Sequence, residues 1–331
     1  MKNILVICDP DKRYCKRMDS FLREALSIPF EIFSFTGSEQ LKDFSYKKET
    51  LLVISEKLFN TSAIDGYKNI LVLDERDVVL SESDANFGIP EDVNIRHTNK
   101  YQNSEKVADS ILSMCLEMPE LLPGGMAVTS TTHVKFIAFY TPVRSIDQSK
   151  AAFDLACRLS EHGNALYFCN DSLCDLSEIR SEEPCENICD LMYYAQCDEE
   201  RFSIYLERIR KRIKKLYYLP CDNGAVRDFC GKEYIKLIEL IRKTSGYDYI
   251  VLDFSESISG LMDVLKACDK IVVLGAKDAE ARERIRKFKI ELSEHEDINE
   301  EKIIYEDASD GRMSLYRNIR ESRGGIGTDG T

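Results

Sequence analysis

The chain has 331 residues, with 58 acids against 45 lysines and arginines, a net charge of -13, and 44% hydrophobic residues. That length suits about two domains with proper cores. So acidic a chain is not built to coat nucleic acid, and no apolar run reaches the roughly 20 residues that span a bilayer.

Twelve cysteines suit a reducing cytoplasm, where thiols behave as small buried hydrophobes. Met1-Lys2-Asn3 leads straight into a short apolar strand, with no signal-peptide pattern. The expected location is therefore cytoplasmic.

Residues 4–8 (ILVIC) read as a buried strand, followed by Asp9-Pro10-Asp11 and a helix over 13–26 with Met18, Phe21, Leu22 and Leu26 on one face. Strands are expected at 30–35, 51–55, 69–74 and, weakly, 93–97. A short helix is expected around 41–44 and a longer one at 104–118. Strands alternating with helices predict a parallel, doubly wound sheet. Residues 119–132 (PELLPGGMAVTSTT) hold prolines, glycines and a Ser/Thr cluster, and are expected to link two domains, 1–118 and 133–322.

The second domain opens with strand 134–140 (VKFIAFY), polar loop 141–149 (TPVRSIDQS), helix 150–162 and strand 165–169. This is the βαβ order of a nucleotide-binding α/β domain, yet the loop has no glycine. Gly163 is expected as a positive-φ helix terminator. Helices follow at 182–201 (mixed with loop), 201–216, 233–244, 259–266 and 278–292, and strands at 216–219, 247–254, 270–274 and 302–305. The tail 323–331 (RGGIGTDGT) is expected to be disordered.

In its strand order and a few positions, the first domain resembles a response-regulator receiver. Receivers hold Mg²⁺ with acids after the first strand and take phosphate on an Asp ending the third. They respond through Ser/Thr after the fourth strand and Lys after the fifth. Here Asp9 fits one acid, Cys8 occupies the other, and Asp11 is a stand-in. Ser55 holds the phosphoacceptor position, Asp74 sits where the hydroxyl belongs, and Lys100 matches. An unactivated hydroxyl cannot replace the carboxylate, so the resemblance implies a receiver fold used for docking. The alternative is any flavodoxin-like domain, which implies no function.

The second domain, with Asp171 after strand 165–169 and then YDYIVLD, resembles the MinD/ParA family of P-loop ATPases, whose loop reads lysine-glycine-glycine-x-glycine-lysine-Ser/Thr. Thr141-Pro142, the Asp190-Leu191-Met192-Tyr193-Tyr194 segment, Lys100-Tyr101-Gln102 and the receiver-like domain ahead are similar to the TadZ/CpaE branch. On that alignment Val143 takes the signature lysine, while Arg144, Ser145 and Asp147 take the glycines. Gln148 takes the phosphate lysine and Ser149 keeps the Mg²⁺ position, with Ile146 and Lys150 completing the loop.

Glycines let backbone N–H groups curl around phosphates, and the lysine supplies charge. Asp147 instead places a carboxylate near a phosphate, and like charges 4 Å apart cost roughly 4 kcal/mol at an effective dielectric of about 20. Asp253 falls at the family's Walker-B acid and Asp171 at its switch acid. The alternative for Asp253 is a strand-terminal acid capping the next turn.

Cysteines 169, 174, 185, 189 and 197 lack the paired CxxC spacing of structural zinc sites, so no metal is expected there. Residues 208–215 (RIRKRIKK) carry six basic residues with Ile209 and Ile213 interleaved. They read as an amphipathic helix whose basic face is either simply solvated or contacts a partner's acidic surface, anionic lipid or DNA, with partner docking the expectation and nonspecific DNA binding last. Residues 312–323 faintly resemble a membrane-surface helix. His97, His133, His162 and His295 are expected to be surface or cap residues.

What the resemblance implies is a non-catalytic scaffold for localisation or assembly of a Flp/Tad-type pilus or secretion machine. It implies a homodimer that contacts a pilus or secretion ATPase or other assembly proteins. A weak contact at the inner membrane face and no specific nucleic acid go with that reading. No cofactor is expected, with ATP and Mg²⁺ only if the glycine-free loop still binds them. The alternatives are an active or nucleotide-switched MinD/ParA-type ATPase and a receiver-type signalling protein.

Overall fold

The computed structural model describes residues 3–26, 30–75, 92–118, 134–143, 146–170, 186–220, 229–244, 246–254, 257–276, 278–294 and 298–306. The chain is α/β and divides into two compact units. One is Met1–Met126 with Ser203–Arg208, and the other is Ala127–Phe202 with Ile209–Thr331.

The first unit is a five-stranded, wholly parallel sheet of β1 (Asn3–Cys8), β2 (Phe30–Phe35), β3 (Thr50–Ser55), β4 (Asn69–Asp74) and β5 (Asn94–Asn99). Its order is β2-β1-β3-β4-β5, the flavodoxin-like order. β1 and β3 are buried along their whole length, as unbroken apolar runs in a two-sided sheet should be.

The period of two sends alternate residues to opposite faces. Leu5 and Ile7 join Met18 and Leu22 of α1 (Lys12–Ala25) and Ile111 and Leu112 of α4 (Ser104–Glu117). Ile4, Val6 and Cys8 join Leu41 of α2 (Glu39–Lys42), Ile64 of α3 (Thr61–Ile64) and Tyr67. Ile204 belongs to the first of these cores.

Among the described residues, the second unit's sheet holds seven strands: β6 (Lys135–Phe139), β7 (Ala165–Cys169), β8 (Lys211–Ile213), β9 (Leu216–Leu219), β10 (Tyr249–Asp253), β11 (Lys270–Leu274) and β12 (Ile303–Glu306). Their order is β12-β11-β6-β10-β7-β9-β8, and every pairing is parallel except β8 with β9. Its helices are α5 (Ile146–Ser160), α6 (Ile188–Cys197), α8 (Gly231–Thr244), α9 (Leu261–Ala267) and α10 (Ala279–Glu294). Helix α7 (Phe202–Ile209) precedes β8.

From β6 the chain crosses over through α5 towards β7, whereas from β11 it crosses through α10 to β12, in the opposite direction. The neighbouring strands β6 and β11 therefore flank the topological switch point. Ligand crevices in open α/β sheets lie at such a point, outside the carboxyl ends of the strands.

Two expectations are corrected. The helix expected over 201–216 stops at Ile209. A hairpin follows, pairing Lys211 with Tyr218 and Ile213 with Leu216, and Lys214 takes the left-handed φ of 55° at its tip. Tertiary pairing overrides helical spacing here because Leu216–Leu219 is a β-prone Leu-Tyr-Tyr-Leu run that extends the sheet beside β7.

The basic run is thereby split. Arg208 remains helical. Arg210 is buried against the Tyr217 ring at 4.0 Å and donates to the Tyr247 hydroxyl at 2.7 Å. Arg212, Lys214 and Lys215 are exposed on or beside the edge strand, where charge discourages strand addition.

Gly163 is the second correction, since it has no positive φ. Its reason is close approach: a Cβ there would lie 2.6 Å from Asp248 Oδ2, which accepts from the Asn164 N–H. The linker centre, Asp171, Cys174, Cys185, the segment 312–323 and the tail all lie outside the described residues.

Candidate functional site

In the first unit, Asp9 follows β1 and Lys100 follows β5, at the carboxyl ends of the sheet. Asp9 is fully buried. The Lys100 ammonium reaches Asp9 Oδ2 at 2.7 Å and Glu75 Oε1 at 2.9 Å, and it sits 5.0 Å from the Tyr14 ring centroid. Lys57 closes the ladder on Glu75 Oε2 at 2.5 Å.

Burial pushes the Lys100 pKa down, but its hydrogen bonds with Asp9 and Glu75 outweigh that and hold it above the ordinary lysine value. Lys57 first, and Lys100 second, hold the Glu75 carboxyl below its usual range. A lysine ammonium thus lies between two carboxylates in the crevice.

The remaining receiver positions are employed differently. Asp11 caps α1, its Oδ1 accepting from the Arg13 and Tyr14 amides at 2.8 and 3.3 Å, and those bonds lower its pKa. Ser55 is buried at the end of β3, 3.4 Å from the Lys57 amide. Asp74 pairs with His97, Nδ1 to Oδ1 at 2.9 Å, so His97 is a largely buried partner rather than a surface residue. Burial, then Cys15 and Asp9, push the Cys8 thiol up to about 12, which leaves it unreactive.

Sequence reasoning missed Glu75 and Lys57. The visible signal for Glu75 was its place directly after Asp74, the last residue of β4. Consecutive strand residues face opposite ways, and this one meets Lys100.

In the second unit, Gln148 and Ser149 lie in the first turn of α5, 2% and 6% exposed. Asp253 ends β10, directly beside β6 in the sheet, and is 1% exposed. The structure joins these positions. Gln148 Nε2 donates to Asp253 Oδ1 at 2.7 Å. The Tyr167 hydroxyl and the Cys169 thiol donate to Asp253 Oδ2 at 3.2 and 3.6 Å.

A buried carboxylate is thus satisfied by a neutral amide, a phenol and a thiol from the neighbouring helix and strand. Thr141 Oγ1 accepts from the Leu274 amide at 3.0 Å, tying the start of the loop to β11. Asp147 is exposed in the first turn of α5, a favourable place for an acid against the helix dipole. Lys150 is exposed on the same helix. Arg144 and Ser145, and the side chain of Ile146, lie outside the described residues. Tyr167 and Cys169 were not anticipated as partners of Asp253, because their link depends on β7 lying beside β10. Among the described residues, no group of three or more His, Cys, Asp or Glu side chains is arranged to hold a metal, and no helix is long and apolar enough to cross a membrane.

No family model matches the chain, and no curated protein sequence matches it. Among solved structures it is similar to a ParA family ATPase from Chlorobium tepidum, with 17% identity over 56% of this chain and 80% of that one, at a TM-score of 0.45. It is also similar to a plasmid partition protein from Borrelia burgdorferi bound to AMPPNP, with 15% identity over 58% and 84% and a TM-score of 0.41. An McdA–ATP complex from Cyanothece matches at 12% identity over 57% and 80%, with a TM-score of 0.39. The class defined by the structure is α/β, with a flavodoxin-like parallel sheet followed by a larger, mostly parallel sheet that opens with the strand, loop and helix order of a P-loop unit.

Proposed function

We propose that this chain is a nucleotide-independent scaffold, a receiver-like unit followed by a MinD/ParA-like unit that no longer works as an ATPase. The observation that carries the reading is the 2.7 Å hydrogen bond from Gln148 to Asp253. A phosphate cradle needs a free cation at the former position and a carboxylate open to Mg²⁺ at the latter. Here the side chain at the first position is neutral and turned inward, and the carboxylate is already bonded by three groups. With a loop devoid of glycine, these residues do not fit Mg-ATP.

The first unit supports the same reading, since the Lys100 ammonium fills the space between Asp9 and Glu75 and Ser55 offers no carboxylate to phosphorylate. By its resemblance to the TadZ/CpaE branch, the scaffold serves the localisation or assembly of a Flp/Tad-type pilus or secretion machine. Its partners are a second copy of itself and the machine's ATPase or other assembly proteins. Val143 removes the lysine that crosses the dimer in relatives, so dimerisation does not need nucleotide. Residues 119–132 serve as the linker between the units.

A thermal-shift titration with Mg-ATP and Mg-ADP to millimolar concentration tests this, together with light scattering. A bound ligand at 100 times its Kd would stabilise by about 2.7 kcal/mol, or roughly 5–10 °C for a unit of this size. The expected result is no saturable shift, and a mass twice the 38.0 kDa chain with or without nucleotide. A saturable shift abolished by Asp253→Ala would establish the switched-ATPase alternative instead.

A further inference from the structure

A cavity of about 520 Å³ opens in the second unit at the switch point, at the start of the loop. It is lined by Tyr140 and Pro142 after β6, by Ile258, Leu261 and Met262 at the start of α9, and by Phe288 of α10, with Arg284 and Lys287 at its mouth. Its size is that of small-molecule sites.

The floor is fixed. The Tyr140 amide donates to Val272 O of β11 at 3.1 Å, and the Tyr140 and Phe288 rings meet edge to face at 5.1 Å. Ile258, Leu261 and Phe288 are buried. Arg284 and Lys287 are one turn apart on α10 and both exposed; Lys287 also lies close enough to Glu283 to help lower that carboxyl's pKa. In a chain of net charge -13, two lining cations against one lining acid over an apolar floor are a local reversal of the overall field. The remaining charged lining residue, Glu291, lies one turn beyond Lys287 on α10, so the mouth carries two cations and one acid.

We propose that this cavity binds a small organic carboxylate with an apolar, aromatic-bearing body. The body stacks among Tyr140, Leu261, Met262 and Phe288, and the carboxylate is held by Arg284 and Lys287. Of the loop the site uses only Pro142, and it asks nothing of positions 143–149 or of Asp253, so it is available to a protein that does not bind nucleotide.

The test is a titration of the full chain with 4-phenylbutyrate and, separately, with its uncharged analogue 4-phenylbutanol, read by the ¹³C-methyl resonance of Met262. The acid is expected to move that resonance saturably at millimolar concentration or below, with the alcohol at least about tenfold weaker. Arg284→Glu with Lys287→Glu should weaken the acid by at least about tenfold and leave the other methionine methyls in place, since both side chains are exposed. Met262→Trp, which fills the cavity, should abolish binding of both probes. No saturable shift, equal affinity for acid and alcohol, or indifference to the charge reversal would each overturn the assignment. Any of these results leaves the nucleotide titration and its meaning untouched.

Discussion

Replacing Gln148 by Met keeps the side chain's length and bulk but removes the donor to Asp253. Both residues are almost wholly buried, 2% and 1% exposed, so water cannot take the donor's place. A hydrogen bond to a charged partner is worth about 1.5–3 kcal/mol, and Asp253 keeps Tyr167 and Cys169 as donors. A mid-range loss of about 2 kcal/mol lowers the melting temperature of a unit this size by roughly 4–8 °C.

Scanning calorimetry of the Gln148→Met chain at pH 8 measures this on the second unit's transition. The loss arises because a buried carboxylate charge is left without one of its donors. Asp253→Asn in the same background should return part of the loss for the same reason. A fall of less than about 1 °C at pH 8 would refute the claim that this bond holds the crevice closed.

In the first unit, Lys100→Met leaves Asp9 buried and unpaired and should cost about 3–5 kcal/mol in urea unfolding. Adding Asp9→Asn should restore a large part of it. Glu75 has its pKa depressed, chiefly by Lys57. Its contribution to stability is therefore present above the ordinary carboxylate range and lost as the pH falls through its lower folded value. The first unit's melting temperature, followed by circular dichroism from pH 7 downwards, should fall on the acid side, and Lys57→Ala should flatten that fall. Gly231→Ala puts a Cβ 2.5 Å from the Gly260 carbonyl oxygen, where the backbone of α9's first turn cannot yield. It should cost about 1–3 kcal/mol by thermal melting.

The elements readable in the sequence were those in which local pattern and tertiary role agree. The unbroken apolar runs of β1, β3, β6 and β10 can only be strands buried on both faces. The apolar stripes of α1 and α4 have the helical period and face the sheet. Their alternation alone implied two parallel sheets, and the absence of glycine from residues 141–149 was plain in the letters. The hairpin of β8 and β9 was not legible, because Arg-Ile-Arg-Lys-Arg-Ile fits a helix equally well until β9 offers an edge to pair with.

The same limit applied to the sites. Asp9, Lys100, Gln148 and Asp253 could be picked out as positions, since each ends a strand or opens a helix. Their partners could not, because Lys100 is 91 residues from Asp9 and Gln148 is 105 from Asp253. A chain of this composition determines by itself which segments must be buried and which residue types can carry charge. Which donor meets which carboxylate is decided only when strands distant in sequence lie about 5 Å apart. There the tertiary structure set a lysine between Asp9 and Glu75, and turned a glutamine inward to Asp253, because a buried carboxylate must be satisfied by whatever donor the packing brings to it.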